Sequence, residues 1–343
     1  PADGFPSLRL ASLLHLGHNM SVDLYVDAVV RHARLVVVRL LGGLGYWPYG
    51  MDRVAETCRR HGIPLAVLPG DDQPDAELAR LGTLDREACH RLWQYAVHGG
   101  AANFRNMLAY AASLLGHRRD WAEPVALLRA GLYWPGIDQP DLAALKSHWT
   151  VGAPVAAIIF YRALVQAGNT APVDSLIAAL TERGLNPLPI HTGSLKEPVA
   201  AGMVENLLAQ APPAIILNAT GFSVSAPGGA RRPSPLDANR RPVLQMVFSG
   251  GSEEDWRANT MGLSARDIAM NVALPEIDGR ILARAVSFKA EARYDRLTQC
   301  PVIAYRPVAD RIAFTADLAA SWVRLAETPA DARRIAIILA NYP

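Results

Sequence analysis

The sequence has few cysteines, few charges and no long apolar run. Its three cysteines, Cys58, Cys89 and Cys300, are far apart and form no CxxC pair, which predicts free thiols in a reducing cytoplasm. No run approaches the roughly 18 apolar residues that a membrane span requires. The start shows no basic segment followed by an apolar core, so no signal peptide is visible. These absences predict a cytoplasmic protein with no membrane span.

Charge is also scarce. Charged residues make up 19% of the chain and the net charge is +2, which argues against both disorder and a nucleic-acid partner. The only local basic excess is in the pairs Arg231-Arg232 and Arg240-Arg241. Both pairs fall in a segment rich in Gly, Pro and Ser, from 220 to 242, that predicts a long surface loop.

Several catalytic motifs are missing. No G-x-x-x-x-G-K-[ST] sequence occurs, so an ATP-driven function would need its ATPase on another polypeptide. Gly-x-Ser-x-Gly is absent, which leaves hydrolase chemistry without support. None of the nine histidines forms HExxH or a comparable cluster.

The first part of the chain alternates between strand and helix patterns, and 343 residues are enough for about two domains. Strands are predicted over Arg9–Leu16, Leu35–Leu41 and Ile63–Leu68, with helices between them, one starting at Ser21 and one ending at Gly62. This βαβαβ pattern predicts a Rossmann-like unit with a parallel sheet. Cys58 lies on the apolar face of the second helix, which predicts a buried thiol.

Residues 75–117 contain no strand pattern and predict a helical insertion in a first domain that spans 1–140. Its three helices are expected over Asp75–Leu81, Leu84–Val97 and Asn103–Leu115. A short strand is expected over Arg129–Trp134, and the mostly polar segment from Pro135 to Gly152 is the predicted domain boundary.

The second part, 150–330, predicts a flavodoxin-like, doubly wound parallel sheet, which binds ligands beyond the carboxyl ends of its strands. The expected strands are Val155–Tyr161, Leu188–His191, Ala214–Asn218 and Val243–Ser249. Helices are expected after Thr170, with Pro172 in the first turn, and over Pro198–Gln210. Arg334–Ala340 has the pattern of a further buried strand, so 331–343 is predicted to be the first strand of a truncated third unit. This ending, and the missing initial methionine, predict a piece of a longer protein.

The glycine-rich turn Gly42-Gly43-Leu44-Gly45 lies between a strand and a helix, where a phosphate could bind. It lacks the G-x-G-x-x-G pattern, and the bulky Tyr46-Trp47-Pro48 that follows would hinder a pyrophosphate. A tight turn that presents two aromatic side chains is the better interpretation. His15 and His18 are three residues apart and could hold a metal, although a turn histidine bonded to the backbone explains the pattern more simply.

The most unusual polar group follows Asn271–Leu274, which looks like a strand. Glu276 and Asp278 are separated by one residue, and Gly279 and Arg280 come next. On an extended chain the two acids would project to the same side. They could bind a cation or a protonated ring nitrogen, or they could close a turn with Arg280 as the ion-pair partner.

Eight phrases, in order, resemble the large subunits of cobaltochelatase and magnesium chelatase. They are Met20-Ser-Val-Asp-Leu-Tyr25, Arg39-Leu-Leu-Gly-Gly-Leu-Gly-Tyr-Trp47, Leu68-Pro-Gly-Asp-Asp72, Ala130-Gly-Leu-Tyr-Trp-Pro-Gly136, Phe160-Tyr-Arg-Ala163, Thr170-Ala-Pro-Val-Asp174, Asn271-Val-Ala-Leu-Pro-Glu-Ile-Asp-Gly279 and Leu339-Ala-Asn-Tyr-Pro343. The resemblance spans nearly the whole chain, and the second and third phrases favour the cobalt branch.

The resemblance implies an N-terminal part of a subunit that inserts Co²⁺ into hydrogenobyrinic acid a,c-diamide during aerobic cobalamin biosynthesis. Two smaller subunits, including an AAA⁺ ATPase, are the implied partners, with cobalt as substrate, ATP bound by a partner and no cofactor held by this chain. The family carries a His-x-Gly-x-His-Gly-type segment with a nearby glutamate, and this sequence has none. The catalytic residues are therefore expected beyond residue 343, and the chain alone is expected to be inactive.

The residues that this chain could offer a tetrapyrrole substrate are Tyr46, Trp47, Arg231, Arg232, Glu276, Asp278 and Arg280. Three alternatives stay open at this point. The first is a magnesium chelatase subunit that binds a porphyrin, and the second is a scaffold that docks the ATPase subunits without touching substrate. The third is a periplasmic-type module for a small ligand, which the absent signal peptide disfavours.

Overall fold

The computed structural model describes residues 5–237 and 240–339, which form two compact units. The first unit extends to Leu127 and includes Val165–Gly168 and Glu291–Ile303; the second contains Leu128–Leu164, Asn169–Ala290 and the residues from Ala304 onward. The domains predicted at 1–140 and 150–330 stay a prediction. Over the described residues, no helix has the length and apolar character to cross a membrane.

The first unit contains a two-stranded parallel sheet. Strands β1 (Val36–Leu40) and β2 (Leu65–Pro69) pair in register from Val36 and Leu65 to Leu40 and Pro69. The helices before and between them are α1 (Asn19–Ala28) and α2 (Pro48–His61). Proline in the first turn starts α2 and left-handed Gly62, at φ +65°, ends it. Cys58 on its apolar face is a fully buried free thiol, as predicted.

The predicted strand at Arg9–Leu16 is wrong. Residues Leu13–Leu16 form a 3₁₀ turn, in which Leu16 joins the core while Leu14 is 77% exposed. A short apolar run does not distinguish a strand from a helical turn. The three-stranded βαβαβ pattern of the first unit therefore reduces to one β-α-β crossover.

That residues 75–117 are an insertion in a larger domain stays a prediction, but three helices are present there, as predicted. They are α3 (Ala76–Leu81), α4 (Arg86–His98) and α5 (Gly100–Leu114). Asp75 and Asp85 cap the first two, because each carboxylate accepts a hydrogen bond from a backbone N–H of the first turn. Helices α4 and α5 pack their apolar faces together around buried Leu92 and Tyr95, whereas Leu78 of α3 joins the core that α2 and the two strands form.

Among the described residues, the second unit contains most of a seven-stranded mixed sheet of order β3-β5-β4-β6-β7-β8-β9, of which the parts of β8 and β9 within residues 291–303 belong to the first unit. The strands are β3 (Ala130–Leu132), β4 (Val155–Tyr161), β5 (Asn186–Thr192), β6 (Ile215–Asn218), β7 (Val243–Ser249), β8 (Ile281–Asp295) and β9 (Cys300–Pro307). Strands β4 to β8 are parallel, and β3 is antiparallel to β5. Counted along the chain, the five parallel strands lie in the order 2-1-3-4-5, so the order reverses at β4.

Continuous apolar runs explain the central strands. Ile158, Ile159 and Phe160 are fully buried because helices cover both faces of a parallel sheet. The helices are α6 (Leu142–Lys146), α7 (Arg162–Ala167), α8 (Ala171–Glu182), α9 (Pro198–Gln210), α10 (Glu253–Ala258), α11 (Ala265–Ile268), α12 (Leu274–Ile277) and α13 (Ala309–Glu327). The α/β alternation and the parallel sheet predicted for this part are confirmed.

Two predicted strands of the second unit are wrong. Residues Ala269–Ala273 form a π turn that joins α11 to α12, so Asn271–Leu274 is helical. Residues 333–339 form no strand, and Ile337 and Ile338 are 81% and 94% exposed. A strand needs a hydrogen-bonded neighbour, and these described residues pair with none. Ala340, the last residue of that predicted strand, lies outside the described residues.

Candidate functional site

A small pocket opens where the parallel strand order of the second unit reverses. Its volume is about 80 Å³, and it lies beyond the carboxyl ends of β4, β5 and β6. Its walls are Tyr161, Ser194, Leu195, Lys196, Thr220, Gly221, Phe222, Ser223, Val224 and Arg280. Open α/β sheets bind ligands at such a reversal, because the crossover helices diverge there and leave a crevice. We refer to this site as the β4–β6 pocket.

The loop after β6 forms one wall, and buried amides hold it. The side-chain amide of Asn218 donates to the carbonyl of Thr220 at 2.9 Å and to Oε1 of Gln245 at 2.8 Å. Gln245 Nε2 donates to the same carbonyl at 3.0 Å, and Thr220 Oγ1 donates to Asn218 Oδ1 at 2.9 Å. All three side chains are almost fully buried. Because a buried amide is costly when unpaired, this network specifies one loop conformation.

Phe222 lies at the turn of this loop in a left-handed conformation. Its φ is +63°, and its backbone N–H donates to the carbonyl of Met270 at 2.7 Å. At the preceding Gly221, an added Cβ would lie 2.8 Å from Asn271 Oδ1 and 3.0 Å from the Met270 carbonyl oxygen, so a larger residue there would crowd the segment that holds Phe222. A left-handed phenylalanine costs on the order of 1–3 kcal/mol, and such strain concentrates at functional sites. The phenyl ring is 43% exposed at the pocket wall.

Asp278 and Arg280 form a buried ion pair behind the pocket. Arg280 Nη2 lies 3.2 Å from Asp278 Oδ2, and Nη1 donates to the carbonyl of Thr220 at 3.3 Å. The Asp278 carboxylate also accepts the backbone N–H groups of Val224 and Ser225 at 2.6 and 3.0 Å. Burial lowers the pKa of Arg280, and the negative charge of Asp278 opposes that shift. The pair therefore holds the loop at Thr220 and at Val224–Ser225, and it places a guanidinium in the pocket wall.

The remaining polar groups of the pocket are Tyr161 and Lys196. The Tyr161 hydroxyl donates to the carbonyl of Gly221 at 3.2 Å, and burial raises its pKa, so it stays protonated. Lys196 is exposed at the end of the β5 loop. Two cationic side chains and no carboxylate line the pocket. A small anionic group is the ligand that such walls favour.

The structure separates the two acids that the sequence placed together. Glu276 is exposed on α12, whereas Asp278 follows that helix and is buried. The extended geometry that would have paired them is wrong because the segment is helical. Arg280 alone of the predicted group lines the pocket. A role for Glu276 and Asp278 in substrate binding stays a prediction.

The predicted arginines of the surface loop lie near the same ion pair. Arg231 Nη2 donates to Asp237 Oδ1 at 2.8 Å and to the carbonyl of Asp278 at 3.3 Å. Arg232 is exposed, and its backbone N–H donates to Ser225 Oγ at 2.9 Å. These contacts stabilise the loop, and a substrate contact for either arginine stays a prediction.

None of the candidates of the first unit lines the β4–β6 pocket. Trp47 is buried and its Nε1–H donates to the carbonyl of Leu16 at 2.8 Å, whereas Tyr46 is 54% exposed. His15 and His18 are both exposed. Within the described ranges, no group of three or more His, Cys, Asp or Glu side chains could hold a metal ion.

Sequence reasoning missed Tyr161, Lys196 and Phe222. The first two could have been found from their position, since they lie at or just after the ends of predicted strands. Phe222 carries no local signal, because only the folded loop places a phenylalanine at positive φ.

Comparisons with known proteins agree with this architecture. A family model described as CobN/Magnesium Chelatase matches residues 93–343. The aerobic cobaltochelatase subunit CobN of a Sinorhizobium species is 44% identical and covers 99% of this chain. A magnesium-chelatase subunit of Rhodobacter capsulatus is 26% identical and covers 82% of it. The solved catalytic subunit of cobaltochelatase from Mycobacterium tuberculosis matches 91% of the chain with a TM-score of 0.67 and 28% identity.

The chain spans only part of these proteins. It corresponds to 27% of the length of the Sinorhizobium protein, 27% of the Rhodobacter protein and 25% of the solved Mycobacterium chain.

Proposed function

We propose, starting from the CobN/Magnesium Chelatase family to which this chain belongs, that it is part of the large subunit of an aerobic cobaltochelatase. In this role the whole protein inserts Co²⁺ into hydrogenobyrinic acid a,c-diamide. Two smaller subunits, one of them an AAA⁺ ATPase, would supply ATP hydrolysis in the cytoplasm. The absence of a phosphate-binding G-x-x-x-x-G-K-[ST] sequence supports this division of labour.

One observation favours cobalt over magnesium. Identity to the Sinorhizobium cobaltochelatase subunit is 44% across nearly the whole chain, against 26% to the Rhodobacter magnesium-chelatase subunit. Both comparisons cover most of the chain, at 99% and 82%, so the difference does not arise from one short conserved segment. The magnesium chelatase alternative is therefore the weaker one.

Metal insertion requires a cleft for a flat macrocycle, ligands that release the metal and a base for two pyrrole protons. The second unit suits the first of these requirements. Its strand order, 2-1-3-4-5, supports the proposed flavodoxin-like description, and its crevice holds the β4–β6 pocket. We assign the metal ligands and the base to other parts of the whole subunit, since the family's histidine segment does not occur in these residues.

The test is a segment exchange. The matching segment of the Sinorhizobium cobaltochelatase subunit is replaced by this chain, and Co²⁺ and Mg²⁺ insertion are assayed with ATP and the partner subunits. We expect cobalt insertion to be retained. The control exchange carries the corresponding segment of the Rhodobacter magnesium-chelatase protein and should lose it. A correctly folded chimera that inserts no cobalt would contradict the proposal.

The chain by itself gives a second test. It should insert no cobalt, even when ATP and the two partner subunits are added, and ATP should not raise its melting temperature. Saturating nucleotide that stabilised it by a few kcal/mol would mean that the Gly42–Gly45 turn binds phosphate after all.

A further inference from the structure

We propose that the β4–β6 pocket binds a carboxylate from the rim of the tetrapyrrole, and that Lys196 provides its positive charge while Arg280 donates hydrogen bonds. This inference rests on the proposed function, because it names the part of the substrate that this segment holds. The site contains Lys196 and Phe222, which the sequence did not indicate, together with Arg280, which is buried in the pocket wall.

Charge is the first argument. Arg280 is paired with Asp278, so the two together are nearly neutral. Lys196 adds an exposed positive charge to a pocket whose walls carry no carboxylate. The nearest acid along the chain, Glu197, accepts the backbone N–H groups of Val199 and Ala200 at the start of α9 and is ion-paired with Arg129 at 3.7 Å, so it does not cancel the charge of Lys196. The net local charge is therefore positive, which favours an anion.

The guanidinium can also donate hydrogen bonds to a ligand. Its bonds to Thr220 and Asp278 involve two of the five N–H groups of an arginine. Arg280 forms part of the pocket wall although its residue is only 6% exposed. A hydrogen bond to a charged group is strongest where water is excluded, so a buried arginine in the wall is better placed than a surface arginine.

Size is the second argument. At about 80 Å³ the pocket is far smaller than the roughly 300–1,000 Å³ of sites that enclose a drug-sized molecule. It cannot enclose a macrocycle. It has room for one carboxylate or acetate side chain, while the ring itself would lie outside the opening.

Pre-organisation is the third argument. The wall from Thr220 to Ser225 is held by the Asn218–Gln245 amides and by the Asp278 carboxylate. These bonds keep Phe222 in its left-handed conformation with a partly exposed ring beside the cationic groups. A rigid aromatic surface next to an anion site matches a ligand with an apolar ring and acidic side chains.

The test measures binding to the 343-residue chain. Hydrogenobyrinic acid a,c-diamide and its methyl ester are titrated by absorbance against the wild type and the Lys196→Met, Lys196→Arg and Lys146→Met variants. Lys146 is the matched control because it is an exposed lysine of the same unit outside the pocket. Inorganic phosphate is titrated in parallel, since a free anion could use the same charges.

We expect Lys196→Met to weaken binding of the acid about tenfold, the loss of one charged hydrogen bond. The ester should bind the wild type as weakly as the acid binds Lys196→Met, and Lys196→Met should not weaken the ester further. Lys196→Arg should restore most of the affinity, and Lys146→Met should change nothing.

Equal binding of the acid to the wild type and to Lys196→Met would overturn the pocket assignment. Phosphate binding that depends on Lys196, without any tetrapyrrole binding, would also overturn it and would identify a free-anion site. Cobalt insertion by the chimera is measured separately from tetrapyrrole binding. A wrong pocket assignment can therefore be distinguished from a wrong proposed function.

Discussion

The two units differ in how many polar side chains they bury. Among the described residues, the first unit buries the polar side chains of Thr57 and Asn103, and the second unit buries all the others. Several of those lie in one network, Asn218, Thr220 and Gln245, at the end of β6. Buried polar groups lower stability unless every one is paired. Here the side chains of the network are paired with one another and with the Thr220 carbonyl, so the network fixes a defined polar shape at this end of the sheet.

The turn after β1, which contains Trp47, and the turn after β6, which contains Phe222, also differ between the two units. Each follows a parallel strand, contains glycine and carries an aromatic residue. In the first unit the aromatic Trp47 is buried in the core, where its indole N–H donates to the carbonyl of Leu16. In the second unit Phe222 stays partly exposed beside a buried ion pair and lines a pocket. A glycine-rich turn after a strand is therefore not a site by itself; the reversal of strand order and the buried charges make it one.

The largest expected effect is on the buried ion pair. Asp278→Ala leaves Arg280 without its partner and two backbone N–H groups unpaired, and should lower the free energy of unfolding by about 3–5 kcal/mol. Urea denaturation measures this. Glu276→Gln, two residues earlier but exposed, should change it by less than about 0.5 kcal/mol. Equal effects of the two variants would remove the distinction between a structural and a surface acid.

Next in size is the pH dependence of the second unit. Burial, with a smaller contribution from the charge of Arg162, lowers the pKa of His191 to about 4. The unfolded chain, with a pKa near 6.5, binds a proton between pH 6.5 and 4 that the folded chain does not bind. Stability should therefore fall as pH drops through that range, by about 3 kcal/mol from this group.

His191→Gln tests this dependence. It should flatten the stability profile between about pH 7 and 4, measured by urea denaturation at each pH. His148→Gln, at an exposed histidine of the same unit, is the control and should leave the profile unchanged. An unchanged profile in His191→Gln would mean that β5 is not as dehydrated at this residue as the structure indicates.

A smaller effect tests the structural role of the turn in the first unit. Trp47→Phe keeps most of the apolar volume but leaves the Leu16 carbonyl without its donor, and should cost about 1–2 kcal/mol. Tyr46→Ser, at the exposed neighbour, should cost less than about 0.5 kcal/mol. Thermal melting compares them. Identical melting temperatures of the two variants would mean that the hydrogen bond from Trp47 to Leu16 does not stabilise the first unit.

The smallest expected change is at Phe222. Phe222→Gly removes the left-handed strain and should stabilise the chain by up to about 1 kcal/mol, while it weakens binding of the tetrapyrrole. Gln299→Gly, at an exposed residue with φ +55°, should stabilise similarly and leave binding unchanged. Calorimetric melting and the absorbance titration measure the two effects. If Phe222→Gly kept full affinity, the ring would have no part in binding.

Local patterns suffice for much of the second unit. The patterns over Val155–Tyr161, Val243–Ser249 and Pro198–Gln210 predict the same bounds that the structure has. An apolar run determines a buried parallel strand, and a proline in the first turn determines the start of a helix. Both signals extend over only a few neighbouring residues, so they can be read from the sequence. The same reasoning misses β8 and β9, because most of their residues are exposed or half-buried and the buried run of β8 is only four residues long, 285–288.

By itself the sequence determined the α/β alternation, the three helices of residues 75–117, the buried thiol of Cys58 and the family resemblance. Only the tertiary structure decided that Asn271–Leu274 is helical, that Asp278 turns inward while Glu276 stays exposed, and that Phe222 is left-handed. The pocket joins residues from four separate segments, around 161, 194–196, 220–224 and 280. Their proximity depends on which strands pair across the crossovers, and a strand's own residues do not encode its neighbour.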